Sequence, residues 1–572
     1  MSGRDQSDPA STRLSRRHFL GGSALAVAGL MLPEVALAAG AQVRTLATPQ
    51  QAPTVADDVV ETSIATLQAR MQAGQLTARQ LAQRYIDRIA AIDQAGPTLR
   101  SVLEINPDAL AIADALDAER RERGPRGPLH GIPILLKDNI DTADGMLTTA
   151  GSLALVGTRP REDATVARRL REAGAILLGK ANLSEWANFR SFNSSSGWSA
   201  RGGQGRNPYA LDRNPCGSSS GSAQAVAASL CAAALGTETD GSIVCPSSAC
   251  GVVGIKPTVG LTSRAGVVPI AHSQDTVGPH GRTVADAAAV LGALVGVDPR
   301  DEATARSAGK FHSDYTQFLD RNGLRGARIG VVRSMFGFSA DADRITNAAL
   351  GIMQYAGATL IDPVEIPSFG EVGAMFEAEF EVLLYEFKHD LNAYLATRER
   401  NQRHPDAPVV RTLAEAIAFN EATRDVEMKY FGQEIFLLAQ DKGPLTDPAY
   451  LEALETGRRI AAAEGIDAVM DRYELDALVA PTGSPAWPID LINGDHFLGG
   501  TSSYAAVAGY PLISVPAGYA FGLPVGITLM GRAYSEPTLI RLAYAFEQVA
   551  QVRRPPQYLP SLSLNRRRAR RK

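Results

Sequence analysis

The chain has 572 residues, 45% of them apolar and 21% charged, with 57 Lys and Arg against 61 Asp and Glu for a net charge of −4. That composition excludes a disordered or fibrous chain and suits one large α/β domain or two or three ordinary ones. A charge this close to neutral gives no global field for nucleic acid, and only the end, NRRRARRK from Asn565, is locally basic.

In chain order, STRLSRRHFLGGSALAVAGLMLPEVALAAG comes first. Paired Arg16 and Arg17 precede a short apolar run and a small-residue site, the pattern of a twin-arginine export signal over residues 1–38, with cleavage after Ala38. Pro33 and Glu34 interrupt the run, so it is too short to anchor stably in a bilayer, and no stable membrane insertion is expected after cleavage. Residues 39–57, rich in Pro, Ala and Thr, read as a linker, and the mature protein is expected outside the cytoplasm, periplasmic or secreted.

Apolar residues at three- and four-residue spacing then predict two helices from Val59 to Gln94, split near Gly74, and a third over about 108–122. GIPILLKDNID switches to a continuous apolar run, the mark of a strand covered on both faces. It ends on Lys137. Burial there would bring the amine from about 10.4 toward neutrality at roughly 4 kcal/mol, while strand alternation sends Asp138 to the other face. The ordinary alternative is a lysine that snorkels to the surface.

DATVARRLREAG predicts a helix and AILLGKAN a strand. NPCGSSSGSAQAVAASLCAAALG is a Ser/Gly loop feeding a helix of small side chains. Gly217, Ser219 and Gly221 match the G-x-S-x-G nucleophile elbow, but that motif needs a buried strand before it, and NPYALDRNPC carries Pro208 and Pro215 instead. Next, GTETDGSIVCP holds a turn, Thr239, Asp240, Gly241 and Ser242, whose N–H groups could converge as an oxyanion hole requires. No histidine lies between Gly131 and Ala271, so no nearby imidazole could activate Ser242. Cys216, Cys231, Cys245 and Cys250 share this segment without metal-type spacing; their small apolar neighbours favour buried free thiols, although an exported protein permits a disulfide.

GARIGVV, ATLIDPVEI, LDALVAPTG and YPLISVPAG read as further strands, and the region around 370–463 as a helical insertion. The alternation implies α/β layers and one large domain over residues 58–560, closed by a basic tail at 561–572. The tail reads as a solvated end, with loose adhesion to anionic envelope polymers as the alternative.

GPLHGIPILLKDNID, the Ser/Gly loop, GTETDGSIVCP, CGVVGIKPTVGL, QDTVGPHGRTVADAA and AGYPLISVPAG followed by GLPVGITLMG together resemble the amidase signature family of amide hydrolases, from about Val59 to Gln548. GWSARGGQGRNPY, CGSSSGSA and LLYEFK look most like its bacterial peptide amidases, which remove C-terminal amides. The resemblance implies an amidase signature fold, a large central mixed β-sheet flanked by helices on both faces. It implies a Ser-cis-Ser-Lys triad with Ser242 as nucleophile, Ser218 as the bridging serine after a cis peptide at Gly217, and Lys137 as base. It further implies backbone oxyanion donors at Thr239 to Ser242, no metal or organic cofactor, and a small-molecule or peptide amide as partner rather than nucleic acid. Trp198, Ser219 and Asp240 are the candidate substrate contacts, and Tyr209 lines either the channel or the core.

Two departures from the family's GTDTGGSIR pattern matter. Glu238 and Val244 stand for an aspartate and an arginine, so an ion pair common in the family is absent or rebuilt. Asp240 stands for a glycine. Its carboxylate would oppose an oxyanion by roughly 3 kcal/mol at about 6 Å, so it is expected to turn away, toward the substrate channel, and to disfavour free carboxylates. The alternatives are a fatty-acid or aryl amide hydrolase with the same triad and, further off, a non-catalytic envelope-binding protein on an amidase scaffold.

Overall fold

The computed structural model describes residues 57–562, so the expected export signal and most of the linker and basic tail lie outside the described residues. The predicted alternation is realised in strands β1 (Val102–Ile105), β2 (Pro133–Lys137), β3 (Ile176–Ala181), β4 (Ala233–Glu238), β5 (Val253–Lys256), β6 (Thr276–Gly281), β7 (Arg328–Val331), β8 (Thr359–Ile361), β9 (Ala477–Pro481), β10 (Leu512–Ala520) and β11 (Leu523–Met530). They form one 11-stranded sheet in the order β1-β3-β2-β4-β6-β5-β10-β11-β9-β7-β8. The sheet is mixed: β2 pairs parallel with both β3 and β4, whereas β4, β6, β5, β10 and β11 follow one another antiparallel.

Every residue of β2 is buried, which explains its unbroken apolar run. Around this half of the sheet, helices Ala78–Arg88, Ala109–Arg123 and Thr165–Glu172 pack Leu81, Leu116 and Leu170 into one core with Ile134, Leu136 and Leu177. Burial of each such side chain contributes about 1.5–3 kcal/mol. The first of these helices starts as its sequence dictates: Thr77 and Gln80 form a reciprocal capping box. On the other half, helices Val284–Leu294, Ala340–Tyr355 and Glu536–Ala550 bury Leu291, Ile345 and Phe546 with Ile255, Val479 and Ile513.

Helices Val372–Thr397, Leu413–Ala422, Glu434–Gln440 and Pro448–Arg458 occupy the region expected to be helical. Leu383, Phe387 and Phe436 from two of them pack on Trp186, Phe189 and Ile270. Those contacts seat the helices directly beside the cleft described next.

Candidate active site

Lys137 ends β2 between two parallel neighbours and is fully buried. Its Nζ lies 2.7 Å from Ser218 Oγ, 2.8 Å from Thr237 Oγ1 and 3.2 Å from the Thr237 carbonyl. Burial lowers the amine to about 7, with Asp275 and Glu238 opposing the shift. That amounts to a penalty on the order of 5 kcal/mol on the charged form. Asp138 points the other way, accepting from Thr149 and Gly151 backbone N–H groups at 3.2 and 3.3 Å.

Residues 205–217, immediately before Ser218, hold no strand, which removes the nucleophile-elbow reading of Ser219. The Gly217–Ser218 peptide is cis. Ser184 N–H donates to the Ser218 carbonyl at 3.0 Å, and Ser219 N–H donates to the Ser242 carbonyl at 3.1 Å, so the Ser/Gly loop lies directly on the Ser242 turn. The helix that follows, Ser220–Ala227, is buried along its whole length. A Cβ on Gly221 would stand 2.3 Å from the Ser101 carbonyl, which is why small residues are needed there.

Expectation and structure part at the cysteines. Cys231 and Cys250 are free and buried, but Cys216 and Cys245 form a disulfide across 29 residues. The local apolar composition suggested thiols; the fold brings the residue before Gly217 against the helix that starts after Ser242, and only that proximity permits the bond.

Ser242 borders a cleft of ≈ 660 Å³, as do Gly217, Thr239, Asp240, Gly241 and both disulfide cysteines. Gly241 has φ +79°, a left-handed conformation natural to glycine, at the corner of the turn. The backbone N–H groups of Asp240, Gly241 and Ser242 meet no acceptor among the described residues. Thr239 Oγ1 donates to Asp275 at 2.6 Å, and Asp275, pushed up by burial to about 6, also accepts from Ile270 and Ala271 N–H. The Asp240 carboxylate turns to the cleft wall, accepting from the hydroxyls of Ser502 and, at 2.6 Å, Ser503. Glu238 caps the helix after Ser242, accepting from Ile243 and Val244 N–H at 2.6 and 2.9 Å, and Lys256 is the cation whose charge favours its ionised form against burial. The family's missing arginine is thus replaced by main-chain donors.

Two candidate contacts lie elsewhere. Trp198 is not on the cleft: it packs edge-on to Tyr430 and Phe431, with ring centroids 5.6 and 5.0 Å away. Ser219 is buried with its hydroxyl on the Thr237 carbonyl at 3.0 Å. Tyr209 belongs to the core, its ring tilted against Tyr519 with centroids 5.9 Å apart and its hydroxyl donating to the Arg554 carbonyl at 2.6 Å. Sequence reasoning missed Thr237, Asn139, Ser502 and Ser503. Asn139 Nδ2 donates to Thr237 Oγ1 at 2.9 Å and stands two residues after Lys137, so KDN carried a faint signal; the two serines, some 260 residues from Asp240, carried none. Outside the cleft, His272, Glu386 and Asp390 cluster as an imidazole between two carboxylates, and no metal is assigned to them.

A mixed sheet with a buried lysine behind a Ser/Gly loop and a Gly-Ser turn defines an amide hydrolase, and this chain belongs to the amidase signature family: the profile of the Amidase family matches residues 80–540. It is similar to a peptide amidase crystallised with the competitive inhibitor chymostatin, at 55% identity, covering 87% of this chain and 99% of that one with a TM-score of 0.83. The native peptide amidase of Stenotrophomonas maltophilia is 54% identical, over 87% of this chain and 98% of that one, with a TM-score of 0.80. A probable amidase of Arabidopsis thaliana is 44% identical over 508 residues, 88% of this chain and 92% of the relative.

Proposed function

We propose that the protein deamidates the C-terminal amides of peptides through a Ser-cis-Ser-Lys triad. Ser242 Oγ attacks the amide carbonyl carbon, its proton passes to Ser218 Oγ, and the Ser218 proton passes to the neutral Lys137 amine. A neutral amine has two N–H groups and one lone pair. The Thr237 carbonyl can only accept, and Thr237 Oγ1 faces both Lys137 and the Asn139 amide, so the N–H groups turn to Thr237 and the lone pair is left for Ser218. The free N–H groups of the 240–242 turn receive the oxyanion. The C–N bond then breaks, the lysine proton leaves with ammonia, and water cleaves the acyl ester to return Ser242 and a carboxylic acid.

The observation that carries the substrate class is the charge of the cleft. The carboxyl groups that line it are Asp240 and Asp495, no Lys or Arg lines it among the described residues, and its imidazole, His496, is engaged by Asp490 at 3.1 Å. A free C-terminal carboxylate finds no counter-ion there, whereas a neutral amide meets no repulsion. Similarity to the peptide amidases at 54–55% identity supports the same reading.

The test is hydrolysis by the purified protein of amidated peptides, the internal bonds of their free acids, fatty amides and anilides, read as ammonia from the primary amides, aniline from the anilides and new amino termini from internal bonds. Release from the amidated peptides alone supports the proposal, and rapid turnover of only fatty amides or anilides overturns it. We also propose export through the twin-arginine route, on the strength of Arg16 and Arg17. Replacing both by Lys should trap the protein in the cytoplasm, and unchanged export would refute the route.

A further inference from the structure

Residues 270–275 form a strut between two surfaces that shape the cleft. At one side Ile270 lines the cleft, and Thr239, which opens the oxyanion turn, is tied to Asp275. At the other side the strut clasps helix Val372–Thr397, which contributes Phe376 and Leu383 to the cleft. The clasp is a row of polar contacts. His272 N–H and Nδ1 meet Asp390 Oδ2 at 3.0 and 2.8 Å, and His272 Nε2 lies 3.3 Å from Glu386 Oε1. Ser273 N–H donates to Glu386 Oε2 at 2.9 Å, and Gln274 Nε2 donates to Glu379 Oε1 at 2.9 Å.

His272 differs from the rest of the row because both its ring nitrogens face carboxylate oxygens, which accept only. A neutral imidazole has one N–H and can serve one of them; the imidazolium serves both. Its side chain is 45% exposed, so bulk protons reach it, while Glu386 is fully buried and Asp390 nearly so.

We propose that His272 is a positioning residue: its protonated ring clamps helix Val372–Thr397 to the 270–275 strut and so holds the cleft wall in register with the Thr239–Ser242 turn. The inference rests on amide hydrolysis as such and stands whichever amides are preferred.

The groups that face the ring come from four elements. The helix supplies Glu386, Asp390 and His389, whose Nδ1 is 2.8 Å from Asp390 Oδ1. The preceding turn supplies Arg264, which donates to the His272 carbonyl and pairs with Asp301 from the 298–301 turn. Helix Pro448–Arg458 supplies Tyr450, whose hydroxyl donates to Glu386 Oε1 at 2.8 Å. Burial disfavours the charged ring, but Asp390 and Glu386 outweigh it and hold the imidazole above its ordinary 6.5. A raised folded value means that the clamp is complete below the unfolded value and is lost as pH rises through the folded one. Lys137 demands the opposite change, so the two titrations bound the active range from either side.

The experiment is kcat and KM across about pH 5 to about pH 10 for the full chain and for His272→Gln, His272→Lys and Asp390→Asn. The unmodified protein should show KM rising on the alkaline side. His272→Gln should raise KM about two- to fivefold at the acidic end, flatten that rise and leave kcat nearly unchanged, as expected for a half-exposed ion pair. His272→Lys should restore the low KM and carry it to the alkaline end. Asp390→Asn, which keeps the helix packing, should resemble His272→Gln. If His272→Gln lowers the melting temperature but leaves the shape of the KM profile unchanged, or if His272→Lys fails to extend the low KM, the proposal is overturned. Ammonia release at normal kcat in either case would leave the triad untouched.

Discussion

Lys137 Nζ lies 2.7 Å from Ser218 Oγ with both residues fully buried, whereas Ser242, whose carbonyl accepts from the Ser219 N–H, borders the cleft. In the proposed mechanism substrate meets Ser242, while Lys137, the proposed base, stays in a dry interior where its charged form is disfavoured. With the amine brought to about 7, kcat/KM should fall as pH drops through that value, with the slope of one proton. Lys137→Arg should remove activity across the range, since guanidinium keeps its proton.

The same burial makes a stability prediction. Between about 7 and the ordinary lysine value of about 10.4, the unfolded chain binds one more proton than the folded one, so unfolding free energy rises with pH in that window. In denaturant titrations taken at pH values across it, Lys137→Met should remove the part of this slope between about 7 and about 8 and reduce it above, where buried Lys256, itself brought to about 8, also contributes. An unchanged slope between about 7 and about 8 would assign it to a group other than Lys137.

Ser242→Ala should lower kcat by about 10⁴-fold or more, because it removes the atom proposed to attack the amide. Ser218→Ala should cost about 10²–10⁴-fold, the range of a lost proton transfer. Both should melt near the parent temperature. Single-turnover ammonia release with parallel melts separates this outcome from misfolding, and activity retained in Ser242→Ala would sink its assignment.

Asp240→Asn should strengthen inhibition by the carboxylate product. Removing a charge at about 6 Å is worth up to about 3 kcal/mol, or a hundredfold at most, and solvent in the cleft reduces it toward tenfold. Product-inhibition constants for Asp240→Asn and Asp240→Gly check this; unchanged constants in both would show that the carboxylate does not act on the ligand.

The disulfide ties the residue before Gly217 to the helix after Ser242. Closing a loop of this length is worth about 3–4 kcal/mol in the unfolded chain. Cys216→Ser should therefore lower stability by that order and should also reduce activity, since the Ser/Gly loop and the nucleophile turn lose their covalent tie. Calorimetry with and without reductant, beside assays of the same samples, measures both.

Local chemistry made much of this molecule legible. Apolar spacing of three and four resolves the helices Ile64–Gln72 and Ala78–Arg88, and an unbroken apolar run resolves β2, because periodicity is a property of neighbouring residues. Motif chemistry likewise singled out Lys137, Ser218 and Ser242. The cysteines mark the limit: identical small apolar surroundings hold two free thiols and one disulfide, and only separation in space distinguishes them.

What the sequence determined by itself was the set of elements and the residue types able to do amide chemistry, since both follow from short-range pattern. Tertiary structure alone decided which of those residues meet. It set Lys137 against Ser218 across 81 residues, turned Asp240 onto Ser502 and Ser503, and sent Trp198 to Tyr430 and Phe431 instead of to the cleft. The physical reason is that sheet order and helix packing are fixed by the burial of whole faces, and no window of neighbouring residues encodes which distant side chains that burial brings within hydrogen-bond reach.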